Sequence, residues 1–220
     1  MKDKLLIIPG HLGKDTGAIG KPSEDIVGDF GPPTSEKECW INLQQAIGFC
    51  IAWAASDLCT RVQVTLVVPN GEVKPGLIDV IDMKGPKKFT LEKRVLLANS
   101  LSADMVELHQ NAFSSSVVQG SEICVYRKFR RGKLSENTIV ARAMLEELEK
   151  LGLQSRGVKE RPDLYSLRKT KHLSFVVESG FISNPRELRL LDVDCDGFNE
   201  SVGLALWQGY SKAYKKLKGL

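Results

Sequence analysis

The chain has little that would tie it to a membrane or staple it together. Its 220 residues hold five cysteines, Cys39, Cys50, Cys59, Cys124 and Cys195, scattered and without a CxxC pair. That pattern excludes a disulfide framework and a cysteine-based zinc site, and it fits reduced, mostly buried thiols in a cytosolic setting. No apolar run is long enough to span a bilayer, which takes about 20 residues. The longest, Ile41 to Ala55, is broken by Asn42, Gln44 and Gln45. The Leu5-Leu6-Ile7-Ile8-Pro9 run is far too short for a signal peptide and is expected to be a buried strand. Linker composition and internal repeats are also lacking, so a single domain over residues 1–220 is expected. Charge of one sign is not in great excess. The net charge of +4 suits an anionic partner without choosing one. A chain of this size buries an adequate core unaided, so a metal would serve chemistry rather than folding.

What is present is an alternation of strand-like and helical segments. Leu5–Ile8, Val62–Val68, Ala103–Leu108, Ser121–Tyr126 and Ser174–Val177 read as strands. Glu38–Asp57, Thr90–Ser102, Leu134–Leu151 and Ser201–Leu217 read as helices. The alternation predicts an α/β fold of three layers, with a twisted, mostly parallel sheet flanked by helices. In such sheets the site lies at the carboxyl ends of the strands. Gly20–Ser35 and Pro69–Lys88 read as long surface loops.

Polar residues follow several of the apolar runs. His11, in Pro9-Gly10-His11-Leu12-Gly13-Lys14-Asp15-Thr16-Gly17-Ala18, comes after the first strand. His109, in Glu107-Leu108-His109-Gln110-Asn111-Ala112, comes after the 103–108 run, and Glu178 follows Ser174–Val177. A carboxylate ending a core strand is costly to bury without a partner or a task. Glu36 and Glu38 open a helix, where acids also favour the helix dipole and where Thr34 or Ser35 could cap. Two imidazoles and a carboxylate make a typical three-ligand zinc shell with water in the open position. The ion lowers the water pKa toward ~7 and polarises a carbonyl. A second carboxylate is then needed to carry the proton to the leaving nitrogen. The remaining histidine, His172, sits among Arg168, Lys169 and Lys171 and reads as a surface residue.

In order and combination these motifs resemble the catalytic domain of zinc-dependent N-acetylmuramoyl-L-alanine amidases. That family includes cell-separation amidases, spore-cortex lysins and phage endolysins. The resemblance runs from Leu5 to about Tyr214. It covers the Pro9–Ala18 motif, Glu38 before Asn42, Leu43 and Ala46, the Arg94–Asp104 stretch, His109–Ala112, and Val177–Asn184. It implies that His11, Glu38 and His109 bind Zn2+ and that Glu178 is the catalytic carboxylate. Glu36 is the rival ligand, and the register of Asn42, Leu43 and Ala46 favours Glu38. It also implies cleavage between N-acetylmuramic acid and the L-alanine of the stem peptide. Two positions depart from the pattern: Val67-Val68-Pro69 stands where a Thr-Arg pair is usual, and Glu107 where a small serine is usual.

The expected partner is therefore peptidoglycan, with no nucleic acid, no stable membrane insertion and a monomeric state. The Tyr126–Lys133 stretch and Lys212, Lys215, Lys216 and Lys218 invite electrostatic contact with an anionic envelope. An endolysin role is expected, with synthesis in the host cytoplasm and access to the wall after membrane opening. The competing readings are a zinc peptidase or carboxypeptidase, and a non-catalytic wall-binding module.

Overall fold

The computed structural model describes residues 3–10, 37–69, 79–83, 90–191 and 197–220. In chain order the elements are β1 (Asp3–Pro9), α1 (Lys37–Ala54), a 3-10 turn (Asp57–Thr60), β2 (Val62–Pro69), β3 (Asp79–Met83), α2 (Leu91–Leu101) and β4 (Ala103–Asn111). There follow β5 (Ser121–Val125), β6 (Phe129–Arg130), β7 (Lys133–Leu134), α3 (Glu136–Lys150), β8 (Ser155–Glu160), α4 (Tyr165–Lys169), β9 (Ser174–Phe181), α5 (Pro185–Leu191) and α6 (Phe198–Lys218).

Among the described residues, seven strands form one sheet in the order β3-β2-β1-β4-β9-β5-β8, and β6 and β7 form a separate hairpin. β3, β2, β1, β4 and β9 are mutually parallel, and β5 reverses direction beside β9. β8 runs with β5. The sheet is thus mostly parallel, as the alternation predicts.

Residue period two splits the sheet into two buried faces. Leu5, Ile7, Val106, Leu108 and Val177 face one side, packed with Phe49 of α1, Met144 of α3, and Trp207 and Tyr210 of α6. Leu6, Ile8 and Met105 face the other, with Ala98 of α2, and Cys124 and Val176 meet Leu167 of α4 there. The helices begin where local chemistry allows. Ser135 caps α3 by accepting the Thr138 N–H at 3.2 Å, an interaction worth about 1 kcal/mol. Thr90 accepts the Lys93 N–H to open α2. α1 and α6 cross at two glycines: a Cβ on Gly203 would lie 2.1 Å from Gln45 O, and one on Gly48 would lie 2.3 Å from Glu200 O.

Three expectations need correction. The Pro69–Lys88 segment contains β3, a parallel edge strand paired Thr65↔Asp79 through Pro69↔Met83. Its Val80-Ile81 core, flanked by Asp79 and Asp82, is too short to announce itself. β8 is an edge strand whose polar Ser155-Arg156-Gly157-Val158-Lys159-Glu160 sequence shows no apolar alternation. β4 and β9 also run farther than their apolar runs, because ladder pairing continues through His109 and Glu178. The Gly20–Ser35 loop lies outside the described residues.

Candidate active site

The site grows from the register of three neighbouring strands. β4 and β9 pair in parallel with His109 opposite Glu178. β5, running the other way, sets Glu122 opposite Glu178 on its far side. In-register neighbours project to the same face, so His109, Glu178 and Glu122 form a row on the face that carries α2 and α4. The row lies toward the carboxyl ends of β4 and β9, and a ladder irregularity between His109 and Asn111 loosens the pairing beside it.

Glu38 comes to this row from the first turn of α1. Its side chain is 1% exposed, and Oε1 accepts the Gln110 N–H at 3.2 Å. The same oxygen lies 3.8 Å from Nδ1 of His109. The two side chains are in direct electrostatic contact, and Glu38 helps to raise the pKa of His109. Gly10 closes the third side. Its N–H donates to Leu108 O at 2.6 Å, and a Cβ there would stand 2.4 Å from Cε1 of His109. Only glycine lets β1 pass so close to the imidazole.

The electrostatics set Glu178 apart. Burial, the largest cause, together with Glu38 and Glu122, pushes its carboxyl up to about 7 against the opposing pull of His109. Its Oε2 is buried and has no hydrogen-bond partner among the described residues. For His109 burial works to lower the pKa, but Glu38, Glu178 and Glu107 together outweigh it and raise it. Glu107, at the position where a small residue was expected, is buried and paired with Arg94 of α2, Nη1 to Oε1 at 3.1 Å. The substitution is thus accommodated by an ion pair beneath the site. Burial pushes the thiols of Cys50 and Cys124 up to about 12, which removes both as nucleophiles.

Two features escape sequence reasoning. Glu122 accepts from Asn111 Nδ2 at 3.2 Å and Arg156 Nε at 3.0 Å. On the opposite face, Gln110 Nε2 donates to Asn42 Oδ1 at 3.1 Å and to Ser179 Oγ at 2.7 Å, and Ser179 Oγ donates to Gln45 Oε1 at 3.0 Å. This buried amide cluster ties α1 to β4 and β9 directly behind Glu38, His109 and Glu178. The Asn42 register was the one sequence signal pointing to it.

Of the sequence-derived site residues, the structure brings together Glu38, His109 and Glu178. His11, and Glu36, the rival of Glu38, lie outside the described residues. His172 is exposed and far from the row. Among the described residues no three His, Cys, Asp or Glu side chains converge as a metal cage. The donor chemistry nonetheless fits a zinc ion. An imidazole nitrogen and a carboxylate oxygen lie 3.8 Å apart, and a buried carboxylate oxygen without a hydrogen-bond partner among the described residues belongs to the neighbouring strand.

A buried carboxyl pushed up to about 7 beside a nitrogen–oxygen donor pair, at the strand ends of an α/β sheet, suits proton transfer in hydrolysis. Residues 5–197 match the N-acetylmuramoyl-L-alanine amidase family, and the chain belongs to it. It is a hydrolase of peptidoglycan of that type, as the motifs from Pro9 to Asn184 imply. The germination-specific N-acetylmuramoyl-L-alanine amidase of Bacillus subtilis (strain 168) is 28% identical over 211 residues, covering 93% of this chain and 77% of that protein. The N-acetylmuramoyl-L-alanine amidase from Clostridium difficile 630 superposes with a TM-score of 0.72 at 21% identity, over 97% of each chain. The catalytic domain of the CD27L endolysin targeting Clostridia difficile gives 0.66 at 20% identity, over 96% of this chain and 97% of that one. At these identities the two structures establish the shared three-layer fold.

Proposed function

We propose that the enzyme is a zinc-dependent amidase in which His11, Glu38 and His109 hold the ion and Glu178 moves the proton, and that it acts as an endolysin. The observation that carries the reading is Glu178: directly opposite His109 in the β4–β9 register, with Oε2 buried and unpartnered among the described residues and its pKa pushed up to about 7.

Bound zinc supplies a water of lowered pKa and polarises the muramoyl carbonyl. Glu178, poised near neutrality, accepts a proton at Oε2 and returns it to the leaving L-alanine nitrogen. Glu38 is kept in place by the Gln110 N–H, so its carboxylate needs no reorganisation to serve as a donor. The Arg94–Glu107 pair offsets a further acid behind His109. Strand and helix placement gives these groups a rigid support.

Purified protein incubated with peptidoglycan should free stem peptides with L-alanine amino termini and leave intact muramyl glycan. New termini inside the stem peptide would instead indicate a peptidase, and no release with zinc supplied would indicate a binding module. Glu178→Gln should keep zinc and lose activity by a factor of about 100 to 10,000, whereas His11→Ala should lose both. Equal zinc content in wild type and His11→Ala would sink the ligand assignment.

One of the solved structures that share the fold is the catalytic domain of an endolysin, CD27L, and the endolysin role is the reading taken to test. It entails synthesis in the host cytoplasm and access to the wall once the membrane opens. Growing cells producing the protein should lyse when the membrane is permeabilised. The germination-specific relative, aligned over 93% of this chain, favours a second reading, action on the spore wall. Cleavage of spore cortex without cleavage of vegetative wall would establish that second reading instead.

A further inference from the structure

The amino ends of the parallel strands, at the pole opposite His109 and Glu178, frame a groove of about 1320 Å3. Six cations line it: Lys4 at the start of β1, Arg130, Arg131 and Lys133 on the β6–β7 hairpin, Lys171 ahead of β9, and Lys218 at the end of α6. Three acids answer them, Asp3, Asp104 and Glu136. Two of the three are already engaged. Asp3 takes Lys218 at 2.8 Å, and Asp104 is turned inward to accept from Tyr210 Oη at 2.8 Å and Leu173 N at 3.1 Å. The other five cations make no ion pair among the described residues. The whole chain carries only +4, so its excess positive charge is gathered largely in this one concavity.

Like charges collected in a groove repel one another and focus a positive potential into it. The hairpin accepts a local strain to keep them there. Arg131 and Gly132 form its two-residue turn with φ of 52° and 76°. Both central positions of such a turn require positive φ, which suits Asn, Asp or Gly. An arginine at the first position trades backbone ease for a guanidinium at the tip.

We propose that this groove is a second binding site, for a linear, phosphate-bearing polyanion that carries no bases. Guanidinium groups match phosphate oxygens in a two-pronged geometry, and lysines add point charges along the strand. The groove is far larger than a single phosphate, so it fits successive repeats of a polymer. Its aromatic lining is Tyr214 and the imidazole of His172. The Tyr214 hydroxyl donates to Asp3, and its ring lies against Tyr210 at 6.0 Å and Lys218 Nζ at 5.6 Å, so this ring is not open to a base. A flexible chain can follow the concave wall and meet cations set along it. Asp104 and His109 are five residues apart on β4, roughly 17 Å at the usual strand rise. A polymer seated in the groove therefore leaves the catalytic face open and anchors the enzyme without competing for the scissile bond. The proposal rests on the groove itself and stands apart from the zinc assignment.

The test is fluorescence anisotropy of the full chain with a labelled poly(glycerol phosphate) oligomer over a range of salt. Affinity should fall with salt at a log–log slope of about −2 to −4, as several counterions are released. Arg130→Gln/Arg131→Gln/Lys133→Gln should weaken binding at least about tenfold. The control Arg142→Gln/Lys212→Gln/Lys216→Gln, with the same loss of charge at exposed positions outside the groove, should weaken it less than about threefold. Lys171→Gln alone should give a smaller loss, and hydrolysis of a short soluble muramyl peptide should be unchanged in all three. Equal losses in the two triple variants would overturn the site. So would binding to single-stranded DNA of equal charge, or to phosphatidylglycerol-rich vesicles, as tight as binding to the polymer.

Discussion

Arg94 and Glu107 show how an unusual residue is tolerated beside the site. Both are buried, and each owes its burial to the other. Arg94→Met should destabilise the protein by about 3–5 kcal/mol, because Glu107 would remain desolvated without its partner. Arg94→Met/Glu107→Met should recover a large part of that loss, as urea unfolding would reveal. Gly10 is a second sensitive residue. Gly10→Ala puts a methyl against Cε1 of His109 and against Leu108 O. Zinc affinity should fall at least about tenfold as the ring is displaced, which a competition titration with a chromophoric chelator would detect. His109 and Glu178 were legible in the sequence because a polar residue after an apolar run stands out. Glu122 was not, since its place beside Glu178 follows from an antiparallel register linking residues 56 positions apart. Gln110 likewise reads as a loop residue until β4 is seen to continue through it.

Helices α1, α3 and α6 were legible because each carries an apolar stripe broad enough to reveal its period. β3, β8 and the β6–β7 hairpin were not. Each is short, polar or at an edge, and their pairing is decided by the sheet they join rather than by their own composition. The helix contact also hides a requirement that periodicity does not disclose. Gly48 and Gly203 allow α1 and α6 to touch backbone to backbone. Gly203→Ala should cost about 1–3 kcal/mol by overpacking, outweighing any gain in helix propensity. Ser201→Ala, two residues away at a less enclosed position, should change stability by less than about 0.5 kcal/mol. Comparing urea midpoints of the two variants would separate close approach from propensity.

The molecule as a whole stores protons. Burial pushes Asp104 up to about 6 and Glu178 up to about 7, while neighbouring acids raise His109. In each case the folded chain holds a proton more tightly than the unfolded one. The stability they lend is present at low pH and is lost as pH rises through the folded-state values. The melting temperature of metal-free protein should therefore fall by several degrees between about pH 5 and pH 8. Glu178→Gln should flatten that decline. A melting temperature that rose over this range would contradict the assigned environments. The strand order has a consequence of another kind. β9 lies between β4 and β5 although it is made after both. β4 and β5 make no direct pairing with each other in this sheet and are joined only through residues 174–181. The row is complete only when residues 174–181 are in place, so a chain cut short before β9 would present His109 and Glu122 without the carboxyl that lies between them.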